Sequence, residues 1–233
     1  MAEDAILDTI CHAPDRAHRL SLDYLLSCVP RSARRVLDCA VAPGARAAAL
    51  REHGARTVVG LFAEAPDPGD PSGYDVVIPG PMDFATFPPA SEPFDCILCT
   101  GVLERLRNPD AFIPALLERL APGGLFLATV PNMQYHKIVC ALAEGRWAYG
   151  DSGVWDRNNL RFYTAREIRQ HLQIAGLSSI RIAGLVGDSP SDFPRDEAGY
   201  ARCGRLRIGP MDDAAYPAWL AEYYLVLAAR EGG

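Results

Sequence analysis

The chain has 233 residues, 49% hydrophobic and 22% charged, which gives one globular domain a sizeable core and leaves little room for two. A formal charge of −6 and a pI near 5.4 provide no basic face, which argues against sequence-independent binding to nucleic acid or to an anionic membrane. The most apolar window, residues 111–130, is broken by Glu118, Arg119, Pro122 and two glycines, so no membrane span is expected.

The N-terminus, Met1-Ala2-Glu3-Asp4, is acidic and lacks the basic start and apolar core of a signal peptide, so a cytoplasmic protein is expected. Residues 15–29 carry apolar side chains at helical spacing (Ala17, Leu20, Leu22, Leu25, Leu26), and Pro30 ends that segment. A strand is predicted at 35–39 and a helix at 44–52, closed by Gly54. Residues 57–62 form a second apolar, β-branched run. After a loop rich in Pro, Asp and Gly, 74–78 makes a third strand, stopped by Pro79-Gly80-Pro81. A fourth strand is predicted at 94–100. Cys96 and Cys99 form a C-x-x-C within it, but residues three apart on a strand face opposite sides, so they read as core thiols rather than a redox pair or half a zinc site. Seven cysteines without a regular framework suit buried thiols in a reducing compartment.

Asn108-Pro109-Asp110 starts a helix that is expected to stop near 121–124, and a fifth strand follows at 125–130. Residues 132–161 are polar and aromatic with weak periodicity and read as an insertion near the strand ends. Thr164 and Glu167 form a capping box for a helix running to Ala175 and Gly176. Two last strands are expected at 179–183 and 223–228, separated by a loop rich in Pro, Asp and Gly and expected to be mobile. The alternation predicts an α/β fold: a doubly wound, mostly parallel seven-stranded sheet in a three-layer α/β/α arrangement. The expected organisation is a single domain over 1–233, with an N-terminal helical segment at 1–33 and the insertion at 132–161.

Val36-Leu37-Asp38-Cys39-Ala40-Val41-Ala42-Pro43-Gly44 is the most informative stretch. An apolar run ends in an acid and a small-residue turn then opens a helix, where a doubly wound fold takes hold of an adenosine-containing ligand. Taken with Phe94-Asp95-Cys96-Ile97-Leu98-Cys99, Val102-Leu103-Glu104, Leu120-Ala121-Pro122-Gly123-Gly124-Leu125 and Pro131-Asn132, this loop resembles that of the class I S-adenosylmethionine-dependent methyltransferases. The resemblance runs from about residue 34 to 228. The segment from Gly150 through Asp156-Arg157 to Leu160-Arg161-Phe162-Tyr163-Thr164 is similar to a subgroup associated with glycan biosynthesis.

The resemblance implies S-adenosylmethionine as cofactor and methyl transfer to a small-molecule or sugar hydroxyl. Asp38, Ala40, Ala42 and Gly44 would form the cofactor loop, with Thr100 at the end of the fourth strand. The family's ribose-binding acid has no counterpart at Phe62, and Glu64 stands two residues on; Asp83 lies near where an acid meets the adenine. On the acceptor side His136 could act as base beside Tyr135, and Tyr149, Asp151, Arg157 and Arg161 could bind substrate. Other readings of these residues remain: His136 as an exposed loop histidine, and Arg157 and Arg161 paired with Asp151 and Asp156. Asn159 stands where similar sequences often carry a histidine. No metal site is expected, since no cluster has ligand spacing.

Alanine at 40 and 42 and phenylalanine at 62 depart from the family pattern and make the cofactor motif degenerate. An alternative is therefore a pseudo-methyltransferase that keeps the fold and serves as a binding or partner protein, in a homo-oligomer or with another chain. A dinucleotide-dependent oxidoreductase is disfavoured because the loop lacks G-x-G-x-x-G spacing.

Overall fold

Strands buried on both faces need no polar alternation, and the short runs of Val, Leu, Ile and Cys in this chain form such strands. A computed structural model describes residues 22–41, 46–62, 73–78, 92–177 and 179–230. In chain order the elements are α1 (Leu22–Ser27), β1 (Arg35–Ala40), α2 (Arg46–His53), β2 (Thr57–Phe62), β3 (Val76–Ile78), β4 (Phe94–Thr100), α3 (Pro109–Leu117) and β5 (Leu120–Pro131). Then follow α4 (His136–Ala143), α5 (Ala165–Ile174), β6 (Ser179–Gly187), β7 (Ala201–Cys203), β8 (Leu206–Ile208), α6 (Tyr216–Leu220) and β9 (Ala221–Ala229).

Seven strands form one sheet in the order β3-β2-β1-β4-β5-β9-β6, with only β9 antiparallel to its neighbours. One face packs Leu37, Cys39, Ile97 and Cys99 against Phe112 and Ile113 of α3 and Ile168 and Leu172 of α5. The other packs Val36, Val58, Cys96 and Leu98 against Tyr24 and Leu25 of α1 and Ala47 and Leu50 of α2. This is the predicted mostly parallel, three-layer arrangement. Cys96 and Cys99 indeed lie in opposite layers, as strand geometry requires.

Several boundaries differ. α3 stops at Leu117, and β5 begins at once with Leu120. The Pro-Gly-Gly segment is an irregularity inside that strand, because the pairing with β4 jumps from Phe94↔Leu120 to Cys96↔Leu125. Gly123 takes a left-handed φ of 74° there. α5 starts as the capping box predicts, with Thr164 Oγ1 accepting from the Glu167 amide at 3.3 Å. The insertion is partly helical, since α4 opens it. The stretch expected as a mobile loop before β9 contains the β7–β8 hairpin and α6, around a small core of Phe193, Ala201, Cys203, Met211 and Tyr216. Those apolar side chains are too scattered along the chain to produce a period.

Cys140 of α4 and Cys203 of β7 are joined in a disulfide, with Cα atoms 5.2 Å apart. The expectation of buried thiols therefore holds for Cys28, Cys39, Cys96 and Cys99 but not for this pair. The bond spans 63 residues of sequence and ties the hairpin to the helix that follows β5. A loop of that length implies about 4 kcal/mol of stabilisation in the chain-entropy account. Reduction, or Cys203→Ser, is expected to lower Tm by about 10 °C in calorimetry. Alkylation of the unreduced, denatured protein should leave Cys140 and Cys203 unmodified in peptide mass analysis.

Candidate functional site

The strand order reverses between β1 and β4, which opens a crevice at the carboxyl ends of these strands. Asp38 lies there on β1, wholly buried. Its Oδ2 accepts from Arg46 Nε at 2.8 Å and from the Tyr74 hydroxyl at 2.5 Å, while Oδ1 has no partner. Asp38 is level with Leu98 across the sheet, so Thr100, two residues further along β4, projects from the same face. The buried Thr100 Oγ1 also lacks a partner.

Ala40 is the last residue of β1, extended and paired with Phe62, so the torsional freedom of glycine is not required at that position. The Phe62 ring folds back along its own strand. A Cβ at Gly60 would come within 2.4 Å of it, which explains the glycine, and Tyr74 meets the ring edge-on at 5.0 Å. Phe62 therefore supports Tyr74 and Asp38 from the core and presents no polar atom to a ribose. Ala42, Gly44, Glu64 and Asp83 lie outside the described residues.

Sequence reasoning gave Glu104 no role. It sits in the helical turn Leu103–Arg105 just past β4 and is only 5% exposed. Its Oε2 has no partner. Burial pushes the carboxyl up to about 7, against the lowering influence of its own backbone amide and of Arg105, with Asp156 adding to the rise. The signal that could have found it is an acid inside the apolar run from Val102 to Leu106.

The insertion is fastened to the turn that carries this group. The Glu104 carbonyl accepts from the amides of Leu160 and Arg161 at 2.7 and 2.8 Å. Arg105 Nη2 donates to the buried Asp156 at 2.6 Å, and Asp156 also caps Asn158. Met133, Trp147, Trp155 and Tyr223 pack around Tyr135, Ile138 and Val154 to make a largely aromatic wall at the insertion, of which Tyr223 lies within electrostatic range of Glu104. Trp147 meets Trp155 and Tyr149 edge-on at 4.8 and 6.2 Å, and its buried indole N–H is unpartnered. Tyr149 itself is 63% exposed, at the rim. Asp151 and Arg157 pair with each other at 2.8 Å on the surface, and the Arg161 guanidinium is held by the Arg107 carbonyl.

Tyr135 and His136 converge on one carboxylate. Asp188, just past β6, accepts from the Tyr135 hydroxyl at 2.5 Å, His136 Nε2 at 2.8 Å and Lys137 Nζ at 2.9 Å. Burial alone would raise Asp188, but these donors hold it below the usual carboxylate range. Burial lowers His136, outweighing the pull of Asp188, and its Nε2 faces that carboxylate. His136 stacks on Phe193 at 4.4 Å. It is thus a buried residue at the start of α4 and not an exposed loop histidine.

Comparison with known proteins agrees with this geometry. The chain matches the family described as Methyltransferase domain over residues 12–181. A ubiquinone biosynthesis O-methyltransferase of Xylella fastidiosa is 37% identical over 131 residues, 51% of this chain and 52% of that protein. The chain spans about half the length of the curated relatives it matches. A SAM-dependent methyltransferase of Archaeoglobus fulgidus superposes with a TM-score of 0.58 at 11% identity, covering 86% of this chain and 87% of that one. The 1,6-didemethyltoxoflavin-N1-methyltransferase of Burkholderia thailandensis, with bound 1,6-didemethyltoxoflavin and S-adenosylhomocysteine, gives 0.54 at 17% identity, over 93% and 80%. At those identities the likeness shows a shared fold. The unpartnered oxygens of Asp38 and Thr100 at the strand ends suit a ligand with a cationic end and hydroxyl groups. With a family match over well more than half its length, the chain belongs to the methyltransferase-domain family.

Proposed function

We propose that this protein methylates a hydroxyl group on a small ring-bearing acceptor, with Glu104 as general base. The observation that carries the reading is a buried carboxyl at about 7, with one oxygen uncommitted, at the strand end where the crevice opens. A base poised near the working pH combines a useful deprotonated fraction with useful proton affinity. When bound, S-adenosylmethionine supplies a methyl group already activated on a sulfonium. What remains for the chain is to align the acceptor oxygen, exclude water and take up its proton at Glu104 Oε2.

An aromatic hydroxyl suits this site better than a sugar hydroxyl. A phenol near pKa 10 is about three units above Glu104, an uphill proton transfer of about 4 kcal/mol, whereas an aliphatic hydroxyl lies higher. The wall of Met133, Trp147, Trp155 and Tyr223 suits a flat apolar ring. The O-methyltransferase name of the Xylella relative supports an oxygen acceptor. Tyr135 and His136, engaged by Asp188, then hold α4 and shape the wall, while Asp151, Arg157 and Arg161 brace the insertion and Tyr149 forms its rim.

The test is release of S-adenosylhomocysteine with panels of phenols and of sugars, product masses being checked. Methylation of phenols is expected, with Glu104→Gln lowering kcat at least 100-fold and leaving the Kd for S-adenosylhomocysteine unchanged. The wild-type rate should rise with pH through a midpoint near 7. Full activity in Glu104→Gln, or turnover of sugars alone, would overturn the reading.

The same raised carboxyl has a stability consequence. Because the folded state holds the Glu104 proton more tightly than the unfolded chain, stability falls as pH rises from the ordinary 4.5 to about 7 and is level above. Glu104→Gln is expected to gain about 2–3 kcal/mol on wild type at pH 8 and nothing below pH 4.5, as urea denaturation at the two pH values would show.

A further inference from the structure

Resting on the general-base reading above, we propose that Tyr223 is a second group on the reacting oxygen: its hydroxyl donates a hydrogen bond to the acceptor oxygen while Glu104 takes that oxygen's proton. Strand register places the residue. Thr100 is level with Thr129 of β5, and Thr129 is level with Leu225 of β9. Tyr223 stands two residues beyond Leu225 toward the carboxyl end of β5, where it pairs with Pro131, so it projects from the same sheet face as Thr100. Asp38 shares that face through its pairing with Leu98, two residues before Thr100. The three side chains thus step across β1, β4 and β9 on one face, with Tyr223 at the end where the insertion packs.

The ring and the hydroxyl have separate surroundings. The ring packs, with Met133, Trp147 and Trp155, against Tyr135, Ile138 and Val154, and leaves the residue half-buried. Among the described residues the hydroxyl has no hydrogen-bond partner. The insertion meets it at Gly153, where a Cβ would lie 3.7 Å from the Tyr223 oxygen, so the glycine leaves that side of the hydroxyl uncovered. The Glu104 carboxyl folds back over the end of β4, since a Cβ at Gly101 would lie 3.8 Å from its Oε1, and its Oε2 is uncommitted. Glu104 is close enough to act on the Tyr223 hydroxyl electrostatically. Burial pushes that hydroxyl up to about 12, with the charges of Glu222, Glu104 and Asp156 adding and Arg105 opposing. An ordinary phenol, at about 10, gives up its proton first, so Tyr223 remains a donor to the acceptor oxygen as negative charge develops there. The acceptor oxygen gains a bond to the methyl carbon as that carbon's bond to sulfur breaks with its electron pair. The acceptor's proton goes to Glu104 Oε2, and Tyr223 keeps its own.

The experiment is steady-state kinetics of Tyr223→Phe, which removes the hydroxyl and keeps the ring, across phenols made progressively more acidic by ring fluorines. For the least acidic phenol that wild type methylates, kcat should fall about 10-fold or more with KM within about 3-fold, the mark of an interaction made in the transition state. The loss should shrink to about 2-fold for the most acidic phenol, whose oxygen needs little help to part with its proton. A purely structural role would lower kcat by the same factor for every phenol. Tyr223→Leu, which removes the ring as well, should raise KM in addition. Both variants should bind S-adenosylhomocysteine with the wild-type Kd in calorimetry, which reports an intact fold. Wild-type kcat in Tyr223→Phe, an equal loss for every phenol, or loss of S-adenosylhomocysteine binding in that variant would overturn the proposal and leave Glu104, tested by its own variant, as the base. Failure of wild type to methylate any phenol would overturn both.

Discussion

A carboxyl group taken out of water must find donors or give up its charge, and four buried carboxyl groups at one edge of the sheet meet that demand in different ways. Asp38 is matched by Arg46 and Tyr74 on one oxygen only. Asp156 is matched by Arg105 and the Asn158 amide and side chain. Asp188 is matched by Tyr135, His136 and Lys137. Glu104 is the exception: its Oε2 lacks a partner, and its pKa rises instead. The satisfied groups build the edge, and the incompletely satisfied ones are where ligand chemistry is to be sought.

The same pairings decide how segments remote in sequence meet. Arg105 and Asp156 are 51 residues apart, and their ion pair holds the insertion over the end of β4. His136 and Asp188 are 52 apart and join the start of α4 to the loop after β6. Asn132, wholly buried, donates to the carbonyls of Ala218 and Ala221 and accepts from the Gln134 amide, which fixes the exit of β5 against the entry to β9. The Cys140–Cys203 bond holds the hairpin to α4. Each fastener involves a desolvated polar group or a covalent bond, so losing one partner exposes the cost of the other.

The departures from the family's loop pattern take on a different meaning in this setting. Ala40 is a strand residue, and its methyl group needs no unusual torsion. Phe62 supports Tyr74 and fills the space that Gly60 leaves. Both substitutions belong to one local arrangement around Asp38, and that arrangement keeps an acidic oxygen available at the crevice.

Much of the fold was legible in the residues because local physics writes it there. Apolar β-branched runs of five to seven residues are strands, Pro and Gly mark their ends, and Thr164 with Glu167 announces a helix. The order of these signals alone implied a doubly wound sheet, and Asp38 stood out as an acid closing an apolar strand. The site was legible only in part. That Asp38 is shared by Arg46 and Tyr74, that Asp188 gathers Tyr135, His136 and Lys137, and that Cys140 meets Cys203 depend on contacts between residues 8 to 63 positions apart. Glu104 was visible as a letter in a matching motif, but its raised pKa is set by its burial in the folded chain. Strand and helix signals are properties of neighbouring residues, whereas strand order, desolvation and pairing are properties of a packed interior, so the chain by itself determined the class of sheet and most of its elements and only the tertiary structure decided which acids are neutralised and which stay available.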